Sequence, residues 1–344
     1  MMKEALRCTK GRFYLLTKGR AFTGMDNVSG GSVSDGLVIP DLIINATVTD
    51  GMVKKRGGYA LSIPITGCHS LCPRSVPLCA GTGKLYLLNL DAGTKTEVAS
   101  LPTSAPLSYV EIGLCIFISS RDWCGVYESG IIRKWGKIID DLDDMNWVQA
   151  ENGEYFLADP QGNATATMKP HEHVHAPDPM EHIIFAHGRI WGSRGTVLYY
   201  SDGMSPEWFQ DDVNQIPFQD EIKMIAPSQG GLFIGFDNKV IFLNGSDPAT
   251  MGYTVRKPGA LPYTMQQIHN FGDFGTVPAW GTPKGKIMAG MPDGSLVDLT
   301  AGKTKFTISE AKGSSFRVVN GKPRYSMTFE MPDDGSDIIN WLKG

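Results

Sequence analysis

Strong charge of either sign is missing from this chain. Its 32 basic and 36 acidic residues leave a formal charge of −4, so the surface as a whole offers no electrostatic footprint for gripping DNA or RNA. The one compact basic run, Lys54-Lys55-Arg56, has the size of a solvated hairpin rim. Long apolar runs are missing too. No stretch approaches the ~18–20 residues of a membrane-spanning helix, which argues against membrane insertion. The opening MMKEALRCTKGRFYLL carries charge throughout and lacks the apolar core of a secretory signal, so synthesis and folding in a cytoplasm are expected. The six cysteines, Cys8, Cys68, Cys72, Cys79, Cys115 and Cys124, then read as reduced thiols rather than as a disulfide framework. Cys115 and Cys124 sit in apolar runs and read as small core residues. Helix signals are nearly absent. Only the C-terminal SDIINWLKG predicts a short helix, capped by Ser336 or Asp337, with Ile338, Ile339 and Leu342 on one face.

Glycine, at 40 residues, and proline, at 21, are abundant and follow no fibrous period. They punctuate many short strands. Residues 183–250 hold two copies of one design: an apolar strand, a Gly turn, a second apolar strand and a polar exit. Similar hairpins recur around Thr82-Gly83, Ala92-Gly93 and Pro292-Asp293-Gly294, with further turn signals at Asp50-Gly51 and Asn320-Gly321. Their spacing of ~30–50 residues is that of propeller blades. The expected fold is an all-β propeller of five to seven blades, six being favoured, with a linear stack or two-sheet sandwich as its rival. An irregular N-terminal segment and the first blades are expected over 1–137. The acidic, Pro-rich stretch 138–180 reads as a loop-rich insertion with one or two strands. The remaining blades fall at 181–332 and a tail at 333–344.

Chemistry is sparse. In His171-Glu172-His173-Val174-His175, extended-chain alternation would put His171, His173 and His175 on one face, as metal ligands would need. His182 lies close behind. The flanking Pro170 and Pro177 favour a polar loop instead. Cys68-His69, Cys72 and Cys79 superficially resemble zinc spacing, but no second, well-separated pair completes a four-ligand set. Ser201-Asp202-Gly203 followed by Trp208 misses the spacing of a sialidase Asp-box, because the three residues are contiguous. Asp140, Asp141, Asp143 and Asp144 could supply a glycosidase carboxylate pair, yet read more simply as a solvated loop. Trp191, Trp208 and Trp280 could act as sugar platforms, or as ordinary packing residues. No nucleophile elbow, phosphate-binding loop or HExxH stretch is present. A structural, non-enzymatic protein without a cofactor is expected, with a carbohydrate-binding or glycoside-processing propeller as the alternative.

Three blocks in order carry a family resemblance. They are Gly24-Met25-Asp26-Asn27-Val28 with LIINATVTDGMVKKRGGY; then GKLYLLNLDAGTKTEVASL, PLSYVEIGLCIFISS and GIIRKWG; then HGRIWGSRGTVLYYSD through NGSDPATM and AWGTPKGKIMAGMPDGSLVDLT. Together they resemble the tail nozzle, or packaged-DNA stabilisation, proteins of short-tailed bacteriophages. Where many such relatives carry an extra sandwich-like insertion after the Trp-Gly element, Trp135-Gly136 here leads quickly to Met180, a compact version. The resemblance implies a virion location and a homo-hexameric ring. It also implies contacts with head-to-tail adaptor or portal proteins and with tail fibre or tailspike proteins, and genomic DNA passing through the lumen without specific binding.

Overall fold

The computed structural model describes residues 63–136, 176–203, 205–210, 213–300, 307–319 and 322–330, and the backbone alone of nine short strands beyond them. Six of those nine form hairpins: β1 (Arg7–Thr9) with β2 (Arg12–Tyr14), β3 (Val33–Ser34) with β4 (Leu37–Val38), and β5 (Ala46–Thr49) with β6 (Met52–Lys55). Thr49 lies opposite Met52, the two-residue connection expected of Asp50-Gly51.

The protein is an all-β, six-bladed propeller. Blade one is β7 (Cys68–Pro73), β8 (Pro77–Gly81), β9 (Lys84–Asn89) and β10 (Thr94–Ser100). Blade two is β11 (Ser108–Ile112), β12 (Cys115–Ser119), β13 (Cys124–Glu128) and β14 (Ile131–Arg133). A separate three-stranded sheet follows: β15 (Trp147–Gln149), β16 (Tyr155–Ala158) and β17 (Ala164–Thr167). Blade three is β18 (His182–Ala186), β19 (Arg189–Arg194), β20 (Val197–Asp202) and β21 (Ser205–Phe209), with β22 (Gln215–Pro217) also paired to β20. Blade four is β23 (Met224–Ser228), β24 (Gly231–Gly235), β25 (Val240–Asn244) and β26 (Gly252–Arg256). Blade five is β27 (Gln266–Ile268), β28 (Val277–Gly281), β29 (Ile287–Gly290) and β30 (Leu296–Asp298). The long hairpin of β31 (Glu310–Val319) and β32 (Lys322–Glu330) continues the stack as the sixth.

All ladders are antiparallel, and tight turns join neighbouring strands. Between β8 and β9, Thr82 and Gly83 both have positive φ (49° and 71°), as do His187 and Gly188 (52° and 74°) between β18 and β19. Two consecutive left-handed residues match the right-handed twist of the strands they connect. This is the reason a Gly closes each pair.

Successive sheets pack face to face, so a central strand is buried on both sides and reads as a continuous apolar run. In β24, Leu232 and Ile234 join Trp191 and Leu198 of blade three in one core cluster, while Phe233 joins Trp280 and Met288 of blade five in another. Period-2 alternation thus feeds two interfaces from one strand. Similar clusters sit between blades one and two (Leu78, Leu85, Ile116, Ile118), between two and three (Phe117, Trp135, Ile183, Phe209), and between five and the hairpin (Ile268, Val277, Phe316, Tyr325).

The stretch expected to hold one or two strands contains three, yet the blades on either side of it touch directly. Ser108 Oγ of β11 donates to Ile183 O (3.2 Å) and accepts from Ile183 N–H (3.1 Å) of β18. A Cβ placed on Gly136 would lie 2.7 Å from Ala176 Cβ, so the chain leaves blade two and re-enters before blade three at one point. The expected C-terminal helix lies outside the described residues.

Candidate functional site at the propeller axis

The innermost strands β11, β18, β23 and β27 each begin at the same end of the stack, so the residues just before or at their starts collect around the axis. There they enclose a cavity of about 390 Å³. Pro106 precedes β11, Glu181 and His182 open β18, Ile222 and Lys223 precede β23, and Pro262 and Tyr263 precede β27. The turn between β12 and β13 adds Arg121 and Asp122. The His182 and Tyr263 rings meet at 5.1 Å between centroids, although a whole blade lies between them in sequence. Curvature of the stack brings them together.

Tyr263 adopts a left-handed backbone (φ 57°), an unusual state for a bulky residue and one that needs support from its surroundings. The neighbouring hairpin supplies part of it: Ser314 Oγ donates to Tyr263 O (3.5 Å), and the Tyr325 hydroxyl donates to Thr264 O. Thr264 Oγ1 also donates to Leu261 O (2.7 Å).

The electrostatics of the cavity are uneven. Lys223 Nζ lies 2.6 Å from Glu221 Oε2, and Arg121 Nε lies 3.8 Å from Asp122 Oδ2, which also accepts from Thr103 Oγ1 (2.8 Å). The Glu181 carboxylate has no hydrogen-bond or ion-pair partner among the described residues. Burial, and secondarily the charge of Glu221, raise its pKa, with Arg121 and Lys223 opposing. Burial, aided by Lys223, lowers His182 to about 4, so its imidazole is neutral at pH 7. Burial pushes the Tyr263 phenol up to about 12. His182 is only 9% exposed, and neither ring nitrogen has a hydrogen-bond partner among the described residues. The cavity can therefore take hydrogen bonds from a ligand at Glu181 and His182. It offers no hydroxyl or thiol hydrogen-bonded to the imidazole, the pairing a nucleophile–base mechanism needs.

His171, His173 and His175 lie outside the described residues, as do Asp140, Asp141, Asp143 and Asp144. Cys68, His69, Cys72 and Cys79 share blade one without converging. The Cys68 and Cys79 sulfurs are 2.9 Å apart, His69 Nδ1 meets Ser70 Oγ at 2.9 Å, and Cys72 is sealed in the core. Burial and the Cys68 sulfur raise the Cys79 pKa. Among the described residues no group of three or more His, Cys, Asp or Glu side chains could hold a metal ion. Trp191 and Trp280 are fully buried, which corrects their reading as sugar platforms: each packs between blades. Trp208 is half-buried. Asp202 accepts from Gln210 Nε2 (3.0 Å) and Asn214 Nδ2 (2.7 Å), organising the exit from β20 rather than an Asp-box turn.

No family model and no curated protein matches the chain. Among solved structures it is similar to a chain of the mitotic checkpoint complex, at 12% identity over 80% of this chain and 74% of that one, with a TM-score of 0.41. It is also similar to the calcium-binding protein regucalcin from Agrobacterium tumefaciens (12% identity, 81% and 88% covered, TM-score 0.37). A third likeness is to the computationally designed Ika8 protein (9% identity, 78% and 82% covered, TM-score 0.38).

Proposed function

We propose that this chain is a structural protein of a short-tailed phage virion, one subunit of a six-copy nozzle ring that retains packaged DNA and provides its exit channel. The observation that carries this reading is the order of the three resembling sequence blocks. The first lies ahead of the blades. The second covers β9 to β12 and β14 of blades one and two, and the third runs from the β18–β19 turn to β25 and resumes in β28 to reach the end of blade five. It is the order of the blocks along the chain, rather than any single turn, that supports the reading.

Physical properties of the chain suit the role. A mildly acidic wall does not accumulate the multiple phosphate contacts that make DNA binding tight and salt-sensitive. Blades buried on both faces make a stiff wall. In a cyclic ring the subunit contacts are heterologous, so two different faces of each copy must be complementary. Head-to-tail adaptor or portal proteins above, and tail fibre or tailspike proteins at the side, are the expected partners. The carbohydrate alternative has lost two of its three tryptophan platforms to the core and is not favoured.

Imaging of particles made without the protein tests the proposal. Heads that fill and then lose their DNA are expected, and heads that keep it would overturn the retention role. Mass measurement by light scattering checks the ring, which is expected as a hexamer in solution or once the adaptor is present.

A further inference from the structure

The axial cavity has a charge pattern that selects a ligand class, independently of the phage reading. Its two bases each have an acid beside them: Lys223 has Glu221, and Arg121 has Asp122. Glu181 is the carboxylate left over. Next to it stands His182, nine-tenths buried and lining the cavity, with both ring nitrogens unpartnered among the described residues. Its nitrogens are not sealed inside the protein, and the open side of this largely buried ring is the cavity it lines. The remaining walls are Thr103, whose hydroxyl donates to Asp122, and apolar or aromatic groups: Ala105, Pro106, Pro262 and the Tyr263 ring.

Each ligand class meets this arrangement differently. An anion would face the uncompensated Glu181 carboxylate. A divalent metal would lack the three ligands it needs, since no such group exists among the described residues. A neutral polyol would leave the Glu181 charge unbalanced. A monovalent organic cation satisfies every element, because ammonium N–H groups donate both to carboxylates and to an unprotonated imidazole. Its hydrocarbon would lie on the prolines, with the cation near an aromatic face. A cavity of about 390 Å³ has room for a small ligand.

We propose that the cavity binds a primary alkylammonium ion, its N–H groups donating to the Glu181 carboxylate and to a ring nitrogen of His182, its alkyl chain against Tyr263 and Pro262.

The test uses the full chain with n-butylamine as probe, followed by isothermal titration calorimetry. Saturable binding of one butylammonium per chain is expected, with no measurable binding of butan-1-ol, its neutral isostere. Glu181→Gln should weaken binding by about tenfold to a hundredfold, the range for a hydrogen bond to a charged group. His182→Phe, which keeps a ring against Tyr263, should weaken it by about fivefold to tenfold. Trimethylbutylammonium keeps the charge but has no N–H; on the unaltered chain it should bind about tenfold more weakly, a comparison that needs no variant to fold. The proposal is overturned if amine and alcohol behave alike, or if the trimethylated ion binds as well as the primary amine. It also fails if Glu181→Gln binds like the parent, or if inorganic phosphate displaces the amine.

Discussion

Two joints between blades strike different balances between packing and directional bonds. Blades four and five meet mainly through shape: Phe233 lies 5.4 Å from the Trp280 ring and 4.7 Å from the Phe242 ring, centroid to centroid, and side-chain bonds to backbone carbonyls, Gln267 Nε2 to Pro227 O (3.2 Å) and Arg256 Nε to Gly294 O (3.3 Å), lie at its edges. Blades two and three also share an apolar cluster, but directional bonds surround it. Arg133 makes two bonds to Glu207, Nη2–Oε1 at 2.6 Å and Nη1–Oε2 at 2.9 Å, and Gly136 N–H donates to the same carboxylate (2.9 Å). Trp135 Nε1 donates to Pro206 O (3.3 Å), Met180 N–H donates to Ser119 Oγ (2.8 Å), and Ser108 bridges to Ile183. The difference follows the chain. A short link joins blade four to blade five, so the link itself restricts their alignment. A long detour separates blade two from blade three, and closing a longer loop supplies less orientation. Register there has to be set by groups that demand geometry.

Truncating the shape-driven joint should have the largest effect. Trp280→Ala is expected to cost about 4 kcal/mol through lost burial and the cavity left behind, read from denaturant unfolding. Trp280→Phe should cost distinctly less, because the Trp280 Nε1 is buried without a partner and its removal recovers part of the loss.

At the polar joint, Glu207→Ala leaves Arg133, only 14% exposed as a side chain, with Glu128, whose Oε2 accepts from Arg133 Nε at 2.6 Å, as its remaining ion-pair partner among the described residues. A cost of about 3 kcal/mol is expected. Replacing Arg133 and Glu207 together by Met and Leu should cost less than Glu207→Ala alone, since no buried charge is then stranded. Equal or greater loss in the double variant would show that the pair supplies net stability rather than alignment.

A third comparison sets both joints against the axial end. His182 has an ordinary value of 6.5 lowered to about 4. Between those values the unfolded chain binds a proton that the folded chain refuses. Stability is therefore complete above about pH 6.5 and declines as pH falls toward 4, by about 3 kcal/mol in all. Glu181, raised in the fold, acts in the opposite sense, while Glu221, Lys223 and Tyr263 face the same cavity. His182→Phe should thus flatten the acid decline of the unfolding midpoint between pH 7 and 4.5. The smallest effect is expected from Ser108→Ala, about 1–2 kcal/mol, because two backbone groups of Ile183 lose their shared partner.

The blades were legible because both-face burial writes itself as runs such as GLFIG and VIFLN between Gly turns. The tryptophans were ambiguous in sequence, since an aromatic beside a turn can face either a neighbouring blade or solvent; curvature of the stack decided that Trp191 and Trp280 face inward. One or two strands were expected within 138–180 where three stand, at 147–167, because Pro and acidic residues around them read as loop. The axial cavity was not legible at all. Glu181, His182 and Tyr263 carry no shared motif, and they meet only because equivalent linkers of different blades converge. The one available signal was positional: each stands at the threshold of an innermost strand. The histidine run at His171, His173 and His175 keeps its place as an expectation outside the described residues.

The contact between Gly136 and Ala176 makes residues 137–175 an excursion with a common doorway. Entry and exit lie close enough for a few residues to bridge them. A short glycine linker could replace the excursion, or a foreign domain with adjacent termini could be grafted there, while Glu207 and Ser119 still hold the flanking blades in register.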